Sequence, residues 1–201
     1  MTPYYDDDVR WKSIALLLFF PIGAALAQES SGAKGWSLHF YGGPSTKVPL
    51  VEIIRFSVPT MEPYSILSVG ATRALGTSDA GLRWEVETGL TKHLERANLF
   101  SLSAAIGARW LRPPWHQVFP GSFYFANGLS LANGTPGVEV EAIGRTNRLL
   151  YHIILEYEFR ADESSRWSFF FRDHHRSGAY GLFNGITGGS DFLCLGIRRS
   201  F

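Results

Sequence analysis

Alternation with a period of two constrains this chain more than any other feature. Along residues 151–160, Tyr151, Ile153, Leu155, Tyr157 and Phe159 fall on one parity, and His152, Glu156, Glu158 and Arg160 on the other. Leu82, Trp84 and Val86 likewise alternate with Arg83, Glu85 and Glu87. Successive side chains of a strand point to opposite faces, so each segment is apolar on one side and ionic on the other. Eight such segments, separated by turn residues, are expected at 36–43, 64–75, 81–92, 98–110, 120–131, 148–160, 166–177 and 190–201. After Gln28 no segment is long and apolar enough for a transmembrane helix. The expected fold class is all-β, an eight-stranded antiparallel β-barrel.

Periodicity leaves the direction of the faces open. A soluble lipocalin-like barrel would turn its apolar residues inward; a membrane barrel turns them outward. Hydrophobic residues make up 45% and charged residues only 18%, which is lean in charge for a soluble globule. The 15 Phe, 8 Tyr and 6 Trp cluster at strand ends, as in the aromatic girdles of membrane barrels. The chain also closes on a strand with a terminal Phe, Phe201. Connections 44–63, 132–147 and 178–189 are long, whereas 75–80, 111–119 and 161–165 are short; the short connection 93–97 breaks the alternation. In an outer-membrane barrel the long loops are external and both termini periplasmic, so the seventh strand runs outward and ends near the outer leaflet. The expectation is therefore a transmembrane barrel.

The N-terminus fits that address. Arg10 and Lys12 precede the apolar run 14–20, and Ala25-Leu26-Ala27 has the small-x-small form of a cleavage site. Residues 1–27 are expected to be a signal peptide removed after Ala27, leaving 28–201 as a barrel in the outer membrane of a Gram-negative cell. A formal net charge of +1 gives no reason to expect nucleic acid as a partner. One cysteine, Cys194, excludes an internal disulfide and any multi-cysteine metal site.

The densest polar cluster on an apolar strand lies at 173–177. Trp167, Phe169 and Phe171 share parity with Asp173, His175 and Ser177, while Arg172, His174 and Arg176 have the opposite parity. In the last strand Asp191 shares the parity of Leu193, Leu195 and Ile197. If the aromatics face lipid, His175, Ser177 and Asp191 converge on the outer wall of two neighbouring strands. These are the residue types of a nucleophile, its base and an acid that orients the base. His152, Glu156 and Glu158 belong to the inward face, where a charged network filling a narrow barrel is expected. His174 is expected inward, in a structural hydrogen bond.

The stretch His175-Arg176-Ser177-Gly178-Ala179, with Asn184-Gly185-Ile186 and Gly189-Ser190-Asp191 after it, resembles the lipid A 3-O-deacylase (PagL) family over roughly the last 35 residues. That family has a His-x-Ser-Asn-Ala motif, an Asn-Gly-rich loop, a Glu shortly before a terminal Phe, and an eight-stranded barrel. The resemblance implies ester hydrolysis on lipid A, with Ser177 as nucleophile, His175 as base and Asp191 as the acidic member. It implies no metal or organic cofactor, and lipid A (lipopolysaccharide) in the outer membrane as partner; pairing into a homodimer is left open. The chain departs from the pattern in having Asp for Glu, a loop about two residues longer, and Gly178 for the Asn linked to the oxyanion. The Gly178 backbone N–H is the expected substitute donor, with Asn184 as a second, and Arg176 is expected to reach lipid A phosphates. Two other readings fit the strands: a non-catalytic structural, adhesive or porin-like barrel, and a soluble periplasmic lipid carrier.

Overall fold

A computed structural model of the chain describes residues 35–48, 50–55, 57–160 and 165–201 (for Val51, the backbone alone). The expected leader, 1–27, lies outside the described residues, as does nearly all of the sixth connection. Eight strands follow in order: β1 (Trp36–Thr46), β2 (Met61–Thr77), β3 (Leu82–His93), β4 (Phe100–Trp110), β5 (Ser122–Ala132), β6 (Leu149–Phe159), β7 (Trp167–Ser177) and β8 (Gly189–Ser200). Each boundary lies within three residues of the expected one. Every strand runs antiparallel to its sequence neighbours, and β8 closes on β1 through pairs such as Phe40↔Ile197. Closure leaves no edge strand to recruit another chain. Two short helices sit in the odd-numbered connections, α1 (Leu50–Ile54) after β1 and α2 (Gly137–Ile143) after β5.

The apolar faces point outward. Along β7, Trp167, Phe169 and Phe171 are each more than half exposed, while Phe170, Arg172, His174 and Arg176 are buried. The outer surface continues through Leu38 and Phe40 on β1, Val69 on β2, Leu102 on β4, Leu131 on β5 and Leu195 on β8, all about half exposed. Aromatics crowd one end of this belt. Trp36, Trp167, Phe169 and Phe201 lie at the end where β1 begins and β8 finishes, and Leu67, Leu90, Leu129 and Leu149 lie toward the other. The girdle expected at strand ends is thus heavier at the first end, with Phe100, Tyr151 and Tyr180 at the other.

The inside holds the charge, arranged in two storeys. In the half where β1 begins and β8 finishes, Glu156 accepts from Arg109 at 2.8 Å, Arg172 at 2.5 Å and Arg198 at 2.8 Å. Arg109 also reaches Glu85 and Glu158, each at 3.0 Å, and Arg172 grips Glu87 through both terminal nitrogens at 2.6 and 3.0 Å. These side chains are essentially inaccessible, so every charge has its counter-charge within the network. The expected inward placement of His152, Glu156 and Glu158 holds.

The other storey is aromatic and imidazole-rich. The Tyr41 hydroxyl bonds His174 Nδ1 at 2.8 Å, and the His152 and His174 rings lie 4.4 Å apart. Helix α2 closes this end. Val138 packs into the cluster of Tyr41, Ile66, Phe170 and Phe192, and Glu139 is fully buried against Arg176 (2.6 Å) and Ser190 (3.2 Å). Burial pushes the Glu139 carboxyl above its ordinary pKa range, and the Arg176 guanidinium opposes that shift. One carboxylate thereby ties α2 to β7 and β8 at residues adjoining His175, Ser177 and Asp191.

Candidate active site

Antiparallel pairing of β7 with β8 places His175 directly opposite Asp191, and Ser177 opposite Gly189. On the other side His175 faces Ile153 of β6, and Ser177 faces Tyr151. All lie on the outward parity, as expected. His175 Nδ1 and Asp191 Oδ1 are 2.7 Å apart, and both side chains are largely shielded, at 13% and 9% exposure. A carboxylate on Nδ1 selects the tautomer that carries its proton there, so Nε2 keeps the lone pair a base needs.

Ser177 follows His175 by two residues on the same face, about 6.5–7 Å away at Cα. Its Oγ accepts from the Ala179 N–H at 3.4 Å, a weak contact, and no hydrogen bond to His175 is formed among the described residues. Catalytic hydrogen bonds commonly tighten only when substrate is present. The structure therefore brings His175 and Asp191 together, and places the Ser177 hydroxyl beside them without engaging it.

Behind Ser177 the chain turns through an unusual backbone. Ala179 (φ 47°), Tyr180 (φ 56°) and Gly181 (φ 95°) are three successive left-handed residues, and Asn184 (φ 55°) and Gly185 (φ 68°) add two more. A non-glycine residue there costs about 1–2 kcal/mol, and such strain gathers at functional sites. The turn is held by Gly181 N–H to Ile186 O at 2.9 Å and Phe183 N–H to Gly178 O at 3.1 Å. Stacking of Phe183 on Tyr151 adds a side-chain anchor.

Two expectations need correction. The Gly178 N–H is not free for an oxyanion, because it donates to Gly188 O at 2.9 Å. The backbone N–H directed at the Ser177 hydroxyl is instead that of Ala179, which the spacing of residues did not indicate because nothing in an Ala-Tyr pair signals left-handed backbone. Arg176 does not reach the rim either: it is fully buried, bonded to Glu139 and to Arg148 O. Its parity already pointed inward, and Glu139 supplies the counter-charge that holds it there. The exposed cation docked on the 178–188 loop is Arg145, whose guanidinium donates to Gly185 O at 2.8 Å. Asn184 is exposed, and its side chain makes no hydrogen bond among the described residues.

Packing explains Gly178. A Cβ there would lie 1.9 Å from Ile186 O, far inside contact distance, with Ile186 backbone and side chain both in the way. Placing a side chain there by Gly178→Asn is therefore expected to displace the 178–188 loop and lower any esterase activity by tenfold or more, as roughly 1.4 kcal/mol of lost alignment suffices for that. Turnover of Gly178→Asn at or above the wild-type rate would contradict this packing argument.

Among the described residues no group of three or more His, Cys, Asp or Glu side chains is placed to hold a metal ion, and the neighbouring His152 and His174 are no exception. No protein-family model matches the chain, and no curated protein matches it. What the chain defines by its own residues is an eight-stranded antiparallel barrel, apolar outside and ionic inside, that carries an imidazole–carboxylate pair and a serine on its outer wall.

Proposed function

We propose that the chain is an outer-membrane serine esterase that removes an ester-linked acyl chain from lipid A. The observation that carries this reading is the 2.7 Å His175–Asp191 contact, made beside Ser177 on an apolar outer wall. Polar groups on such a wall need a reason, and a substrate that stays in the bilayer supplies one. In the proposed reaction Ser177 Oγ attacks the ester carbonyl carbon as His175 Nε2 takes its proton. Collapse of the tetrahedral adduct expels the sugar alkoxide, which recovers that proton, and water then releases the fatty acid by the same path reversed. The leaving acyl chain has Phe171, Leu193 and Leu195 to lie along. Ala179 N–H and Asn184 are the donors at hand for the oxyanion, and Arg145 is the cation at hand for a lipid A phosphate. Removal at the 3-O position is implied only by the family resemblance.

Support for the membrane comes from the inverted barrel. Half-exposed Leu, Val, Phe and Trp run along the outside of β1, β2, β4, β5, β7 and β8, the kind of apolar surface that marks a membrane contact, while the charges are packed inside. A soluble lipid carrier needs an open apolar chamber, and this interior is filled by an ion network in one storey and packed aromatic side chains in the other. The chain is expected to sediment with outer membranes and to require detergent for extraction; release by salt or alkaline carbonate alone would argue against it.

The porin-like reading meets a filled lumen. Arginine–glutamate pairs occupy one storey, aromatics the other, and α2 covers the end. Reconstitution in planar bilayers is expected to give no steady ionic conductance, and open-channel steps comparable to a porin's would restore that reading. The esterase reading itself is tested by the mass spectrum of lipid A from cells with and without the protein. A loss of one acyl chain supports it; identical spectra, with purified protein also inert on lipid A, would sink it.

A further inference from the structure

At the end where β1 begins and β8 finishes, far from Ser177, the connection 111–121 overhangs a cleft of about 370 Å³. Small-molecule sites occupy roughly 300–1,000 Å³. One acidic side chain, Glu158, lines it, against Arg83, Arg109, Arg112, Arg160 and His116. Hydrogen-bonding capacity there runs one way. Both Glu158 oxygens are taken, Oε1 by Arg160 at 3.3 Å and Oε2 by Arg109 at 3.0 Å. Arg83 holds Glu85 through Nε and Nη2, each at 2.7 Å, and keeps Nη1 open among the described residues. Arg112 is exposed and bonded to nothing among the described residues. Gly121 N–H points at His116 Nδ1 at 3.2 Å and calls for a lone pair there, although Gly121 O is equally close. The ring proton then sits on Nε2, as one more donor. The cleft thus offers N–H groups and no spare carboxylate.

Charge points the same way. Arg83 and Arg160 bring the ion network of this storey to one cation more than it has carboxylates, before Arg112 is counted. The lip of the cleft is apolar instead. Trp115, Val118 and Phe119 stand exposed on the same connection, which is held by His116 N–H to Pro113 O at 2.8 Å and Val118 N–H to Trp115 O at 2.9 Å. Trp115 packs edge-on against Trp110, and the Tyr157 hydroxyl donates to Phe119 O. Apolar side chains beside cations suit the layer where hydrocarbon gives way to anionic groups. Arg73 over Trp36 and Arg199 over Trp167, each at 5.4 Å, repeat that pairing at the same end of the outer wall.

We propose that this cleft binds the phosphate of a glycerophospholipid whose acyl chains run past Trp115, Val118 and Phe119. A phosphodiester brings one negative charge and two unesterified oxygens, the complement of donors that lack acceptors and of a surplus cation. Free phosphate carries the same oxygens without chains, so it leaves the apolar lip unused. The proposal rests on the membrane reading, under which this end meets the leaflet opposite to the one that Ser177 meets. It does not depend on ester hydrolysis.

The test uses the barrel purified in detergent, with native mass spectrometry of bound lipid and the urea midpoint of unfolding measured in parallel. The probes are phosphatidylglycerol, a diacylglycerol with the same chains, and inorganic phosphate as competitor. Phosphatidylglycerol is expected to stay bound and diacylglycerol to be lost, with little displacement by a tenfold molar excess of phosphate. Arg112→Gln is expected to weaken phosphatidylglycerol retention roughly tenfold, the usual loss for one charge-assisted hydrogen bond. Its urea midpoint should not move, because Arg112 is exposed and unpaired among the described residues. Equal retention of the two lipids, retention untouched in Arg112→Gln, or displacement by equimolar phosphate overturns the proposal, whatever the esterase assay gives. A chain that stays in solution without detergent overturns the membrane reading, and this lipid with it.

Discussion

Replacing Ser177 by alanine is expected to reduce lipid A deacylation by about 10⁴-fold or more, the usual cost of deleting a nucleophile that acts with a base. The barrel should not notice. Ser177 lies on the outward face at the last residue of β7, opposite Gly189, and its hydroxyl makes only the 3.4 Å contact with Ala179 N–H. Surface changes of this kind alter stability by no more than about 0.5 kcal/mol. His175→Ala should fall to the same floor, and the double variant no further, since the two act as one unit. The measurement is release of fatty acid from lipid A by the purified variants, alongside their unfolding curves. Deacylation surviving in Ser177→Ala at more than about a tenth of the wild-type rate, where the usual loss is 10⁴-fold or more, would place the chemistry elsewhere.

The largest structural effect is expected at Glu156. Its carboxylate is shared by Arg109, Arg172 and Arg198, all buried inside the barrel. Glu156→Ala leaves three guanidiniums to divide Glu85, Glu87 and Glu158 among themselves, with a cavity between them and no solvent to compensate. Removing one partner of a buried pair typically costs about 3–5 kcal/mol, and here one side chain serves three partners. The variant should fail to refold in detergent or unfold at a much lower urea concentration. Glu156→Gln keeps the volume but loses the charge, so it should fall between. A Glu156→Ala barrel as stable as the wild type would mean that water, rather than the ion network, fills the lumen.

Much of this was legible beforehand, for reasons that can be named. Alternation marks strands because side chains of a strand project with period two, so Tyr151 and His152 could be assigned to opposite faces without coordinates. The same counting put Asp173, His175 and Ser177 on one face, and Asp191 on the matching face of the neighbouring strand. Arg176 illustrates the limit: parity placed it inward, but its buried partner Glu139 lies 37 positions away on α2, so the tempting reach toward phosphates could not be refused from local sequence. Gly178 illustrates another, since its N–H is consumed by Gly188 in a loop whose left-handed backbone starts at an alanine and a tyrosine.

By itself the amino-acid order determined the number of strands, their near boundaries and the two-faced character of each, because these follow from local periodicity and turn chemistry. Tertiary structure alone decided which face looks outward, that His175 meets Asp191 at 2.7 Å, and that α2 seals the barrel through Glu139. Those outcomes depend on closure and register between strands, where a slip of one residue would send every side chain to the opposite face. Long-range pairing of that kind leaves no trace in the spacing of neighbouring residues.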